Sequence, residues 1–386
     1  MEFTGNWNLP TAVKFGVGRI KELPEVCRAA GMTKPLLVTD PGLAHLPMVV
    51  DAVAANTDAG LPTLEFSDIQ PNPVGSNVEA GVAALKAGGH DGVIAFGGGS
   101  AMDAAKAIAF MPGQTRPIFH FEDVGDNWKD ADPDAILPVV AVPTTSGTGS
   151  EVGRAAVITN QATHTKIIVF HPKMLPVTVI CDPALVAGLP ANLTAWTGMD
   201  ALAHCLEAFC APGYHPMADG IAVEGLRLIK DWLPAAVADG HNLEARAHMM
   251  SAAAMGATAF QKGLGAIHSL SHPVGALYNA HHGLSNAVFM PYVLVYNRDV
   301  IAERMDRLAR WLGLPGDGFT AVLEWTLDLR SRFEIPHTSD ALGVQETDLD
   351  TLSAMAAVDP TAGCNPRPAG EADMKALYQA SLSGTL

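Results

Sequence analysis

Gly92-Val93-Ile94-Ala95-Phe96-Gly97-Gly98-Gly99-Ser100-Ala101-Met102-Asp103-Ala104-Ala105-Lys106 decides the fold of the first half of the chain. The apolar run Gly92–Phe96 reads as a strand buried on both faces, and Ala101–Phe110 reads as a helix. Between them stand three glycines. One would suffice for a plain strand-to-helix turn. Three let backbone N–H groups approach an anion closely, at a helix N-terminus that already favours negative charge. The spacing departs from the GxGxxG fingerprint, which expects an acid ~20 residues after the glycines. Here the acid at a strand end is Asp40, well before them. Asp40 could accept from a ribose 2′-hydroxyl and repel a 2′-phosphate, or serve as a turn or helix-capping residue.

Outward from this turn the pattern alternates. Strands are expected at Val13–Val17, Pro35–Thr39, Thr63–Phe66, Gly92–Phe96 and Leu137–Val142, with helices at Gly18–Ala30, Leu46–Ala55, Val74–Lys86 and Ala101–Phe110. Continuous apolar strands alternating with helices predict a parallel sheet covered on both faces. Thr144-Thr145-Ser146-Gly147-Thr148-Gly149-Ser150-Glu151 then forms a hydroxyl-rich loop, able to hold a nucleotide or simply to be solvated. Ala155–Thr159 and Lys166–Phe170 read as two strands joined like a hairpin, and Val177–Cys181 as a last strand. Lys166 in so apolar a strand suggests an anion or ribose partner, or an edge position. After Leu189-Pro190 nearly every segment is helical, including Asn192–Phe209, Pro216–Ala236, Leu243–Gln261, Ser285–Tyr296 and Ala302–Trp311. The expected organisation is a Rossmann-like α/β domain over 1–188 and an all-α domain over 189–386.

The second domain carries the strongest chemical signal. Gly198-Met199-Asp200-Ala201-Leu202-Ala203-His204 is followed by Ile267-His268-Ser269-Leu270-Ser271-His272-Pro273 and by Asn279-Ala280-His281-His282-Gly283. Asp200 and His204, and likewise His268 and His272, are one helical turn apart on a shared face. Any single histidine here could be a satisfied core residue, and Asp200 could simply pair with His204. An aspartate on an apolar face is costly to bury unpaired, and a divalent cation with imidazole co-ligands satisfies it. The cluster as a whole points to a metal. Around it, Phe209, Phe260 and Leu264 suggest a small, weakly polar substrate, while Arg154 leaves room for an acidic group.

Composition bounds the partners. The chain has 386 residues, 48% apolar and 17% charged, with net charge −16. That acidity argues against nucleic acid and against an anionic membrane surface. No apolar run reaches the ~18 residues of a membrane span, and the first residues show no signal-peptide pattern. Five cysteines without a CxxC pair fit a reducing cytoplasm. Serine-hydrolase elbows, HExxH and P-loop elements are absent from the sequence.

Taken together, the chain resembles the iron-containing (group III) alcohol dehydrogenases along nearly its whole length. The resemblance rests on Gly97-Gly98-Gly99-Ser100 with Asp103 and Lys106, on Pro143 to Glu151, on Thr197 to His204, on Ile267-His268 to His272-Pro273, on His282-Gly283 and on Asn365-Pro366-Arg367-Pro368. It implies a Rossmann-like NAD-binding domain, an all-α metal domain of dehydroquinate synthase-like architecture, and an active site between them. The implied metal ligands are Asp200, His204, His268 and His282, holding Fe2+, or Zn2+ or another divalent ion. The implied NAD contacts are Asp40, Asn72, Gly97, Gly98, Gly99, Ser100, Asp103, Thr144, Thr145, Thr148, Ser150, Lys166 and Leu185. His272 becomes the candidate proton relay, or a wall of the pocket. The C-terminal segment departs from the family: Asp359-Pro360-Thr361-Ala362-Gly363-Cys364-Asn365-Pro366-Arg367 displaces a cysteine. The implied activity is NAD(H)-linked interconversion of a small alcohol and its aldehyde or ketone, by a cytoplasmic homodimer or higher homo-oligomer. The alternatives are a dehydroquinate synthase-like lyase, which needs more basic residues than the metal stretch offers, and a non-catalytic NAD-binding protein.

Overall fold

Six short strands form the centre of the first half. The structure, a computed structural model, describes residues 11–163 and 165–386. The opening residues read for a signal peptide lie outside that set. In chain order the elements are β1 (Ala12–Phe15), α1 (Leu23–Ala29), β2 (Pro35–Val38), α2 (Pro47–Asp58), β3 (Leu64–Phe66), α3 (Gly75–Gly88), β4 (Gly92–Gly97), α4 (Gly99–Phe110) and β5 (Val139–Pro143). The hairpin β6 (Ala155–Asn160) and β7 (Thr165–Phe170) follows, then β8 (Thr178–Cys181). The sheet order is β1-β8-β5-β4-β2-β3 and every pairing is parallel. The hairpin is a separate antiparallel pair. Leu37, Ile94, Phe96, Val140, Val142 and Ile180 pack against Leu23, Val26 and Val49 of the flanking helices, so apolar strands bury both faces as the alternation predicts.

Register decides what meets at the carboxyl end of the sheet. Val38 lies opposite Ala95, and Gly97 opposite Pro143. The residues following β2, β4 and β5 therefore converge: Asp40, the glycine turn and the threonine loop. The helix expected from Gly18 begins later, because Pro24 falls in the first turn of α1, where its missing N–H is harmless. Arg19–Glu22 before it is a single 3-10 turn.

The chain divides into two compact units, one ending at Leu189 and the other beginning at Pro190. The second contains α5 (Ala191–Cys210), α6 (Pro216–Ala238), α7 (Leu243–Ala259), α8 (Ala266–Tyr278), α9 (His282–Leu312), α10 (Gly318–Arg332), α11 (Leu349–Ala357) and α12 (Glu371–Ser383). Its core surrounds α5, which has sixteen buried residues among its twenty. A helix hydrophobic on every side is one enclosed by neighbours. Two helices expected at Ser285–Tyr296 and Ala302–Trp311 are one continuous helix, α9. Between the two expected segments, Arg298 and Asp299 lie on the exposed face of that helix. No helix among the described residues is long and apolar enough to cross a membrane.

Candidate active site

Three helices of the second unit supply the metal-type donors. Asp200 and His204 lie one turn apart on α5, His268 in the first turn of α8, and His282 at the start of α9. One ligand atom from each lies within 4.8 Å of all the others. His204 Nε2 is 3.8 Å and His282 Nε2 3.5 Å from Asp200 Oδ1, and the rings of His204 and His268 stack at 4.8 Å. Asp200, His204 and His268 are buried. The start of α9 reaches α5 because residue 283 is glycine. A Cβ there would stand 2.3 Å from the Trp196 carbonyl oxygen and 3.1 Å from Asp200 Cβ.

This donor set fits a divalent cation. Among the described residues, the ion-pair partners of the Asp200 carboxylate are the imidazoles of His204 and His282, with no lysine or arginine. The Asn286 amide nitrogen donates to Asp200 Oδ1 at 2.7 Å and lies 3.2 Å from both His268 Nε2 and His282 Nε2. Lone pairs of one carboxylate and of imidazoles thus converge on a shared point, the arrangement a borderline cation prefers.

A supporting layer was not singled out in the sequence. Glu207, on the face of α5 that carries Asp200 and His204, lies 2.5 Å from His268 Nδ1 and accepts from the Ile267 backbone N–H at 2.7 Å. Burial alone would lower the His268 pKa, but the carboxylates of Glu207, Asp200 and Asp359 together more than offset it, leaving that imidazole above its ordinary value. The spacing 200, 204, 207 is the signal that could have found Glu207, and His282 with Asn286 repeats the one-turn interval.

His272 sits one turn beyond His268, its ring stacked 5.5 Å from that of His282. Its Nδ1 is 2.8 Å from Asp359 Oδ2. Asp359 Oδ1 accepts from the Thr361 backbone at 2.9 Å and from its hydroxyl at 2.5 Å. Burial would raise the Asp359 pKa, but His272 and these bonds lower it overall. His281 plays another part: its Nδ1 accepts from Leu284 N and caps α9.

In the first unit the predicted nucleotide residues divide. Asp40 Oδ1 accepts from Gly42 N at 2.9 Å and Leu43 N at 3.2 Å. A Cβ on Gly97 would lie 3.5 Å from Asp40 Oδ2, so the acid and the turn are neighbours. Gly97 has φ +149, a conformation L side chains rarely adopt. Gly98 and Gly99 face the threonine loop, where a Cβ would come 3.1 Å from Thr145 Cγ2 and 2.6 Å from Thr148 Cγ2 respectively. Thr144 N donates to Gly97 O at 3.0 Å. Ser100 follows in the first turn of α4, whose N-terminus has no side-chain cap. A bare helix end beside a cradle too narrow for any side chain fits a phosphate.

Other members make fixed contacts within the protein. Asp103 receives Ser150 Oγ at 2.5 Å and Val157 N at 3.0 Å, so it ties α4 to the loop and the hairpin. Lys106, buried beside it, donates to the carbonyls of Ser150 and Ala155. Lys166 is paired opposite Thr159 in the hairpin. Asn72 follows β3 with φ 54, and Leu185 is buried in the sheet core.

Residues 10–183 match the family described as iron-containing alcohol dehydrogenase, and residues 194–382 the C-terminal domain of the Fe-containing alcohol dehydrogenase family. A 4-hydroxybutyrate dehydrogenase of Cupriavidus necator is 40% identical over 382 residues, covering 96% of this chain and 98% of its own. An NAD-dependent methanol dehydrogenase of Bacillus methanolicus is 37% identical, covering 98% and 100%. The crystal structure of a 1,3-propanediol oxidoreductase superposes with TM-score 0.91 at 34% identity, covering 98% of this chain and 99% of that one.

Proposed function

The chain belongs to the iron-containing alcohol dehydrogenase family, and from that premise we propose how its own residues divide the work of a metal-dependent NAD(H) oxidoreductase. The reaction is interconversion of a small alcohol and its aldehyde or ketone by hydride transfer. The observation that carries the assignment of roles is the convergence of Asp200, His204, His268 and His282. These four residues hold the divalent ion, with iron as the family's metal. Asp40, the Gly97–Ser100 turn, Thr144, Thr145 and Thr148 hold NAD, with Asn72, Asp103, Ser150, Lys166 and Leu185 shaping or completing that region. When bound, the cation supplies Lewis acidity toward an alcohol or carbonyl oxygen, and NAD supplies the hydride acceptor.

The remaining steps belong to side chains. The Asp359 carboxylate accepts, so Nδ1 of His272 is the donor in this pair, and in the neutral imidazole the lone pair then stands on Nε2. His272 takes the alcohol proton at that atom and returns it in the reverse direction. Phe260, its ring 5.1 Å from that of His204, keeps the neighbourhood of the ligands apolar. That supports a small unbranched primary alcohol as substrate, in line with the names of the relatives above. The five unpaired cysteines support a cytoplasmic setting. A homo-oligomeric assembly is supported by Val13, Phe15 and Val17, apolar and exposed along and just beyond β1 at the sheet edge.

The test is anaerobic reconstitution with Fe2+ or Zn2+, followed by NADH-linked assay of methanol, 1,3-propanediol and 4-hydroxybutyrate. Turnover of at least one of these, abolished by chelation and restored by metal, is the expected result. Full turnover after thorough chelation would overturn the metal assignment.

A further inference from the structure

We infer that Glu207 is a positioning residue that fixes the proton of His268 on Nδ1, and so turns the lone pair of Nε2 toward the ligand cluster. The inference rests on the metal reading above. Glu207 is buried, and its two oxygens face two donors that differ in kind. Oε1 accepts from the Ile267 backbone N–H at 2.7 Å, an amide near the N-terminus of α8 that can never act as an acceptor. Oε2 lies 2.5 Å from His268 Nδ1, a nitrogen that donates or accepts according to tautomer. An ionised carboxylate can only accept. It therefore demands Nδ1–H, and the neutral imidazole then has its lone pair on Nε2, the atom 3.2 Å from Asn286 Nδ2 at the centre of the cluster. Carboxylate–histidine pairs of this kind orient a ligand and raise its basicity.

Charge points the same way. Asp200 and Glu207 together bring two negative charges to three neutral imidazoles, which balances a dication. With Asp200 alone, a bound dication would leave a buried net positive charge.

The isosteric variant E207Q faces an unusual demand at this site. A glutamine offers one oxygen and one NH2. The oxygen must take the Ile267 N–H, because the reverse placement opposes two donors in a buried site and leaves both unsatisfied. The NH2 then faces His268 Nδ1 and requires it as an acceptor, so the proton moves to Nε2 and points at the cluster. The truncation E207A makes no such demand. A narrow crevice lined in part by Glu207, Gly265, Asn297 and Asn365, with about 10 Å3 open to water-sized spheres, reaches this side chain, and truncation to alanine enlarges it to hold a water. Water entering there can accept from Nδ1 and leave Nε2 free to bind. The conservative change is therefore expected to harm metal binding more than the drastic one, while the drastic one harms the fold more.

The experiment uses the full chain stripped of metal, as wild type, E207Q and E207A. Co2+ affinity is read by competition with a chromophoric chelator, fold stability by urea unfolding of the apo forms, and the His268 tautomer by 15N shifts of histidine-labelled protein. E207Q is expected to weaken Co2+ binding by about 10–100-fold with little change in urea midpoint. E207A is expected to lose less Co2+ affinity and more stability. Co2+ affinity of E207Q within about twofold of wild type, a range below 1 kcal/mol, would overturn the inference, as would a larger loss in E207A than in E207Q. Should E207Q fail to fold, the wild-type tautomer decides: Nδ1–H is expected, and Nε2–H in the apo chain would refute the role. Wild type that binds no Co2+ would remove the metal reading itself, and this inference with it.

Discussion

The two candidate regions are built on opposite plans. In the helical unit, the proposed function is carried by side chains: four potential ligand atoms within 4.8 Å of one another, braced by Glu207 and Asn286. In the α/β unit it is carried largely by backbone. Gly97, Gly98 and Gly99 contribute by what they lack, and the nearby carboxylate of Asp103 is tied to Ser150 and Val157. A cation must be met by lone pairs at fixed points, which only buried side chains can hold. A phosphate is met by amide N–H groups at a helix end, which needs close approach and no Cβ. Substitutions should therefore fail differently in the two units.

The largest effect is expected from removing a charged ligand. Asp200→Ala deletes the single carboxylate among the four donors and takes from Asn286 its carboxylate acceptor. Bound iron or zinc should fall to background by elemental analysis. Alcohol-dependent NADH formation should fall by about a thousandfold or more, the scale of losing several kcal/mol of transition-state stabilisation. NAD binding, measured by NADH fluorescence, should change little. A variant that keeps stoichiometric metal would break the side-chain half of the comparison.

The backbone half is tested by adding a single methyl group. In Gly99→Ala the new Cβ meets Thr148 Cγ2 at 2.6 Å, so the threonine loop must move. Overpacking of this kind costs about 1–3 kcal/mol, which translates to roughly tenfold or more in NADH affinity. Metal content should be unchanged. Loss of metal together with nucleotide affinity would mean that the two regions are not separable in this way.

How much of this was legible follows from the same contrast. The parallel sheet could be read because strands buried on both faces are apolar throughout, as Val93–Phe96 and Val139–Val142 are. The ligand cluster could be read because an aspartate and histidines in apolar helices are out of place. Glu207 was equally out of place, yet one acid in that helix already had an explanation and the second drew no attention. The pairing of Asp359 with His272 spans 87 residues, and no local pattern encodes it. The continuity of α9 was missed at Arg298 and Asp299, whose place on the exposed face of one helix shows only in the fold. The individual NAD contacts were named from family resemblance, since residues such as Ser100 and Thr144 carry no signal of their own.

The smallest expected effect sets one buried glutamate against another. Glu151 is as buried as Glu207 but lies in the α/β unit, where burial pushes its pKa up to about 7, with Lys106 offsetting part of that rise. The sign follows from the folded value standing above the unfolded one. Below pH ~4.5 the group is protonated in both states and contributes nothing. As pH rises toward 7 the unfolded chain releases the proton while the folded chain retains it, so stability falls, and the loss is complete above the folded value. Glu151→Gln removes this slope. The variant should match wild type in urea unfolding at about pH 5 and exceed it at about pH 8, by on the order of 2 kcal/mol. The same Glu-to-Gln change should thus stabilise one unit at alkaline pH and weaken metal binding in the other. At Glu151 the ionised oxygens are a desolvation burden, whereas at Glu207 each accepts a hydrogen bond from α8. Parallel urea midpoints for Glu151→Gln and wild type across that pH range would show that Glu151 stays ionised beside Lys106, and that both regions tolerate buried carboxylates by pairing them.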